Sequence, residues 1–248
     1  MTLEYFNEFC RHISKEITGV IHVGAHQCEE RETYLELFRQ TDDSILWIDP
    51  LQEIVEEMKD KHPTVKIIQA CCSDKAETQS FYVSNYSQCA GLLPFSEAHK
   101  ETFKQIEQVA IPIEMTTLDS LIPKKDKPLR NMLVISVNGA EMKVLKGAET
   151  LLEFIDFVVV RFEKMNFHDR TPAPHELKDW LGVNGFTFAC AVDVSKHSEA
   201  CLFTSQDAEY ETAKRQEEQT YILQQMISEY NEKNNTNITT QVYSDLDK

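Results

Sequence analysis

Short apolar runs and amphipathic stretches take turns along this chain. Residues Thr2 to Ile17 place Leu3, Phe6, Phe9, Ile13 and Ile17 at helical spacing, which predicts a helix covering one sheet edge. Val20-Ile21-His22-Val23 is rich in β-branched residues and predicts a strand buried on both faces at the centre of a parallel sheet. Gly24-Ala25 then gives a tight turn with little side-chain bulk. Glu29 to Gln40 predicts a helix with Tyr34, Leu35, Leu37 and Phe38 on one face. Ile45-Leu46-Trp47-Ile48 predicts a second strand, ending at Asp49-Pro50. Leu51 to Asp60 predicts a second helix, with Pro50 suited to its first turn.

Val65 to Cys72 predicts a third strand, followed by Ser73-Asp74. Gln79 to Val83 alternates like a strand, and Ser84 to Glu97 is a long polar loop of the kind that often carries function. Val109 to Met115 predicts a strand at a sheet edge, because Pro112 cannot donate to a ladder. Thr117 to Leu121 predicts a helical turn, and Ile122 to Arg130 a basic surface linker. Met132 to Val137 is the next core strand, with Asn138-Gly139 as its turn. Ala140 to Lys146 follows as a helix closed by Gly147 as a left-handed cap. Ala148 to Phe154 adds a helical segment, Phe157 to Phe162 a strand, and Glu163 to Pro174 a loop. His175 to Val183 predicts a helix; Gly185 to Val192 and Glu199 to Phe203 predict an antiparallel hairpin at one edge. Repeated strand–helix alternation predicts an α/β fold: a doubly wound, mostly parallel, Rossmann-like sheet with helices on both faces.

This domain spans residues 1–205, with the N-terminal helix, 1–17, packed on it. From Gln206 the composition changes: residues 206–248 carry nine acids and four bases, many Gln and Asn, and no Gly or Pro. Tyr221, Leu223, Met226, Ile227 and Tyr230 predict one amphipathic helix to about Glu232, packing on the domain or on a second copy in a homo-oligomer, with a disordered end.

The net charge of −16 argues against a nucleic-acid partner. No apolar stretch approaches a membrane span, and the N-terminus lacks the basic and apolar regions of a secretory signal. Seven cysteines without metal spacing predict reduced thiols in the cytoplasm, with Cys71-Cys72 as buried filling. The eight histidines show no zinc pattern, and no metal site is predicted.

The unit from Gly19 to Asp49 carries the chemistry. Strand, small-residue turn, helix, strand and acid make the first half of a nucleotide-binding βαβ unit. Small residues after the first strand let a ligand lie against the backbone, and Asp49, 25 residues past Gly24, is placed to accept ribose hydroxyls. The glycine fingerprint of dinucleotide sites is missing, and Glu29 and Glu30 would repel a pyrophosphate. S-adenosylmethionine (SAM) has a ribose, no phosphate and a cationic sulfur, so the acidic turn favours it over NAD. The expected cofactor-binding set is Gly24, Ala25, His22, Asp49, Ser73, Asp74 and Ser136. Asp74 either meets the adenine or caps its own backbone.

The order of segments resembles the FkbM-type family of SAM-dependent methyltransferases. The matching pieces are Val20 to His26, Leu46 to Pro50, Ser84-Asn85 with Leu92 to Phe95, Thr117-Leu118-Asp119, and Gly139-Ala140-Glu141 through Val144 to Ala148. They cover roughly Ile17 to Phe203. The resemblance implies a class I methyltransferase fold and O-methylation, typically of a sugar or polyketide hydroxyl, so a glycan or small-molecule acceptor. This chain departs from the family at Ser136, where an acid is usual, at Asn138, where Glu or Gln is usual, and at Arg161, near which a Glu is usual. Two readings follow: an active, divergent enzyme, or a methyltransferase fold kept as a binding module with weakened catalysis.

Methyl transfer to an alcohol needs a base. The candidates are Glu141, Glu163, His168 and His26. Glu141 lies in the turn after a core strand and is equally suited to capping the next helix. Glu163 and His168 lie in a loop that either walls the acceptor or is solvated, and His26, at the mouth of the turn, suits backbone hydrogen bonding.

Overall fold

A computed structural model describes residues 3–13, 15–164, 167–208, 220–221, 224–231 and 233. In chain order come α1 (Leu3–Cys10), β1 (Val20–Val23), α2 (Arg31–Leu37), β2 (Ile45–Asp49), α3 (Gln52–Lys61), β3 (Lys66–Gln69) and β4 (Cys71–Cys72). Next are β5 (Thr78–Ser84), α4 (Glu97–Thr102), β6 (Gln108–Thr116), α5 (Leu118–Leu121), β7 (Met132–Ile135) and α6 (Glu141–Lys146). The domain finishes with β8 (Phe157–Glu163), α7 (Pro174–Val183), β9 (Phe186–Ser195) and β10 (Ser198–Ser205).

The main sheet has seven strands in the order β3-β2-β1-β7-β8-β10-β9. Strands β3 to β8 in that order run parallel, and β10 and β9 add an antiparallel edge hairpin. This is the doubly wound, mostly parallel Rossmann-like sheet expected from the alternation of elements, with the antiparallel hairpin at its edge. Strands β1, β2 and β7 are buried along their whole length, as continuous apolar runs require. Their period-two alternation splits the core. Val20, Ile45, Trp47, Val134 and Val159 pack on one face with Phe6, Phe9, Tyr34 and Met58. Ile21, Val23, Leu133, Ile135, Val158 and Val160 pack on the other with Leu118, Val144, Leu177 and Leu181.

Several boundaries differ from expectation, each for a local reason. Helix α1 ends at Cys10, not Ile17. The Asn131 side chain accepts from Thr18 N–H at 2.9 Å and donates to the Glu16 carbonyl at 2.9 Å, drawing that segment out of helix towards β1. Helix α2 starts at Arg31, because His26 (φ +43) and Cys28 (φ +53) wind the preceding residues through left-handed turns. The predicted strand Val65–Cys72 breaks at Ala70: β3 stays in the main sheet, whereas β4 joins a second sheet of order β4-β6-β5. Pro112 sits on β6 opposite Ser80 of β5, beyond the short stretch paired with β4, so its other side is an edge as expected although β6 is the middle strand.

The basic segment 122–130 is not simply a surface linker. Lys127 is buried against Asp119, at 2.7 Å, and Thr150. Arg130 is buried, donating to the carbonyls of Ser44 (3.0 Å) and Asp43 (3.2 Å). Gly147 is not a left-handed cap either. It has φ −83, and its missing side chain makes room for the Ser73 carbonyl, which a Cβ would meet at 2.0 Å. In the tail, residues 220–221, 224–231 and 233 are helical, with Tyr221, Met226 and Tyr230 exposed; Leu223 and the stretch after Lys233 lie outside the described residues. Among the described residues no helix is long and apolar enough to cross a membrane.

Candidate active site

The carboxyl ends of β1, β2, β7 and β8 open into two adjoining cavities, where ligands of doubly wound sheets bind. The first has an empty volume of about 940 Å³, open solvent at its mouth included. Gly24 opens its floor. A Cβ there would lie 2.0 Å from the Ser136 carbonyl oxygen, and φ is +81, so only glycine lets β1 turn against β7. Asp49 stands in the wall. Its Oδ2 accepts from His26 N–H (2.8 Å) and its Oδ1 from Leu51 N–H (3.0 Å), which leaves lone pairs for two more donors. Burial pushes its carboxyl up and those two backbone bonds pull it back.

A roof closes this cavity: a 3₁₀ turn, Ser87–Cys89, followed by Ala90 and Gly91. It is held from both sides. His26 Nδ1–H donates to Glu29 Oε1 at 2.7 Å, and Nε2 accepts from the Ser87 hydroxyl at 2.8 Å. Gln88 Nε2 donates to the same Glu29 oxygen at 3.0 Å. From the far side Asn138 Nδ2 donates to the carbonyls of Gln88 (2.8 Å) and Ala90 (2.9 Å). Asn138 has φ +54 and Gly139 φ +90, a turn that Asn and Gly tolerate best. The bond to Glu29 raises the His26 pKa.

The second cavity, about 820 Å³, shares Gln88, Ser136, Asn138 and Arg161 with the first. Glu141, Glu163, His168, His99 and His197 line it, with Phe103 and Phe167 among its apolar walls. Burial pushes the Glu141 carboxyl up to about 7, although its Oε1 accepts from Gly139 N–H at 3.0 Å. His168 Nδ1–H donates to Glu163 Oε1 at 2.5 Å, while its Nε2 is buried without a partner among the described residues. His99 is buried with both ring nitrogens unpartnered, stacked on Phe95 at 3.6 Å. Each such buried nitrogen needs an explanation, and in a cavity wall a ligand's polar group is one.

A profile of the methyltransferase FkbM domain matches residues 22–188, from the second half of β1 through all of α7 to the start of β9, and so includes the carboxyl ends of β1, β2, β7 and β8. The chain belongs to the FkbM methyltransferase family. No curated protein matches the sequence significantly. Among solved structures, the FkbM methyltransferase of Methylobacillus flagellatus KT is similar at 11% identity and TM-score 0.49, over 77% of this chain and 44% of that one, so the present chain spans less than half its length. An uncharacterized protein of Listeria monocytogenes serotype 4b is similar at 9% identity and TM-score 0.47, over 98% and 91% of the two chains. The magnesium protoporphyrin IX methyltransferase of Synechocystis PCC 6803 is similar at 8% identity and TM-score 0.41, over 82% and 76%.

FkbM-family membership implies SAM as methyl donor, and the first cavity fits that molecule chemically. Glu29, Glu30 and Asp49 line it, and among the described lining residues Arg161 is the one lysine or arginine. Such a wall favours a cationic sulfur and opposes phosphates. Leu51, Ala70, Cys71, Phe81 and Leu92 provide apolar walls for a base.

Of the residues singled out in this FkbM-family sequence, Gly24, His22, Asp49, His26 and Ser136 line the first cavity. Ala25 lies buried beneath it, outside the lining. His22 packs against Trp47 and accepts from or donates to Tyr34 Oη at 3.0 Å; burial lowers its pKa to about 3, so it is a neutral core side chain. Ser73 and Asp74 are in neither lining. Ser73 is buried with its hydroxyl donating to Asp74 at 3.0 Å, while Ala70 to Cys72 form part of the first cavity's wall. Glu141, Glu163 and His168 come together with Ser136 in the second cavity. Sequence reasoning missed His99, His197, Ser87 and Gln88. The polar loop from Ser84 pointed towards the last two, and the i, i+4 pair Phe95/His99 was the only local hint of the first.

Proposed function

We propose that this FkbM-family enzyme methylates a hydroxyl oxygen of a small-molecule acceptor of the sugar or glycan class, with His168 as general base. The observation that carries this reading is the Glu163–His168 pair in the wall of a cavity that adjoins the cofactor cavity. An alcohol is a weak nucleophile until its proton leaves, so a positioned base is required. Glu163 keeps the proton on Nδ1 and leaves the Nε2 lone pair to take another. Glu163 is therefore a positioning residue. The losses of acid at Ser136 and Arg161 do not leave the acceptor cavity without a base.

When bound, SAM supplies an electrophilic methyl group on a cationic sulfur. Asp49 would hold its ribose hydroxyls, and Glu29 and Glu30 match its positive charge. The shared wall of Gln88, Ser136, Asn138 and Arg161 brings the two ligands together, which converts a bimolecular encounter into a local one. Flat faces at Tyr86, Phe103 and Phe167, set beside Glu141, Ser195 and His197, support a sugar, whose C–H face is apolar and whose rim is polar.

The test is product analysis on a panel of sugars and glycosides with labelled SAM. His168→Gln is expected to lower kcat by about 10²–10⁴-fold while S-adenosylhomocysteine affinity stays unchanged. Methyl product on nitrogen or carbon acceptors only, or full activity in His168→Gln, overturns the proposal.

A further inference from the structure

Arg161 and Glu30 are unusual in the first cavity. Arg161 stands at the carboxyl end of β8 and lines both cavities. Its guanidinium has five donors, yet its hydrogen bonding among the described residues is one long contact, Nη2 to Ser198 Oγ at 3.5 Å, and it closes no ion pair. Glu30 is 4% exposed; its carboxyl accepts from its own backbone N–H and meets no side chain among the described residues. Burial pushes that carboxyl up to about 7, and the Arg161 charge pulls against this without the two groups meeting. The cavity thus holds a separated cation and a separated carboxyl beside the bare Gly24 turn.

We infer that Glu30 and Arg161 form an α-amino-acid clamp, Glu30 taking the ammonium and Arg161 the carboxylate of the methionine end of the nucleoside. This rests on the cofactor reading above and assigns to that site two residues that the family pattern does not. A zwitterion is the one charge pattern that satisfies both groups at once. A planar guanidinium reads a carboxylate in a fork, and each charge-assisted bond is stronger than a neutral one. Asp49 then serves the ribose and the roof covers the whole. An acid on the acceptor would reach Arg161 from the second cavity instead; nothing there explains Glu30, so the zwitterion accounts for more.

Calorimetry with two probes separates the possibilities: S-adenosylhomocysteine, which has the amino-acid end, and methylthioadenosine, which lacks it. The wild type is expected to bind the first more tightly. Arg161→Gln and Glu30→Gln are each expected to weaken S-adenosylhomocysteine about 10- to 100-fold while leaving methylthioadenosine unchanged, and Arg161→Lys to recover part of the loss. Unchanged methylthioadenosine binding also shows that the variants are folded. Equal loss for both probes, or no loss for either, overturns the clamp. Equal wild-type affinity for both overturns the clamp and leaves the cofactor reading standing. Failure of the wild type to bind either nucleoside overturns both.

Discussion

The two cavities are built to opposite rules. In the first, the roof and the Asp49 carboxylate are tied by short hydrogen bonds to His26, Glu29, Asn138 and Leu51. In the second, His99 and His168 keep ring nitrogens without partners, and aromatic rings crowd the wall. Preorganised polar groups bind a fixed ligand without reorganisation, whereas unpaired buried nitrogens are costly until a ligand meets them. Under the proposed function, the difference suits a constant nucleoside in the first cavity and an acceptor that completes the second.

The strongest way to break the contrast is at the floor of the first cavity, where it meets the shared Ser136. Gly24→Ala puts a Cβ against the Ser136 carbonyl in a left-handed turn, and is expected to cost roughly 3–5 kcal/mol in urea unfolding. Asp49→Ala strands two backbone donors and acts on the first cavity alone. Calorimetry is expected to show a loss of roughly 1–3 kcal/mol for S-adenosylhomocysteine.

The second cavity is sharpened by pH. Glu141 has its folded pKa raised to about 7, so the native state holds that proton longer than the unfolded chain does. Its contribution is full below the unfolded carboxyl range and is lost as pH rises towards 7. Glu141→Gln is expected to remove about 2 kcal/mol of that fall between pH 5 and pH 7.5, read from denaturant midpoints. An unaltered pH profile contradicts the burial of this carboxyl. The smallest effect is expected at the roof. Asn138→Asp keeps a residue that tolerates positive φ but loses both donors, and should speed S-adenosylhomocysteine release by about tenfold in stopped flow.

The βαβ core was legible because its signals are local. A β-branched run, a glycine and a terminal acid specify β1, the turn and Asp49 without reference to the rest of the chain. The switch at Ala70 was not legible, since an unbroken apolar run says nothing about which sheet each half joins. Nor does composition reveal that Lys127 and Arg130 are buried, because their partners Asp119, Thr150, Asp43 and Ser44 are contributed by other segments. His99 and His197 meet across Phe103 and Phe167 by the folding of separate loops, a juxtaposition without any spacing signature.

The two-residue turn Asn138-Gly139 has a broader consequence. One residue pins the roof of the first cavity, and the next offers its amide to Glu141 and abuts Thr171, where a Cβ would come within 2.5 Å of the hydroxyl. The roof of one cavity and a buried carboxyl of the other are therefore geared to a single two-residue turn. A change at Asn138 or Gly139 is felt in both cavities at once, whereas a change on the aromatic side, at Phe103 or Phe167, acts on the second alone.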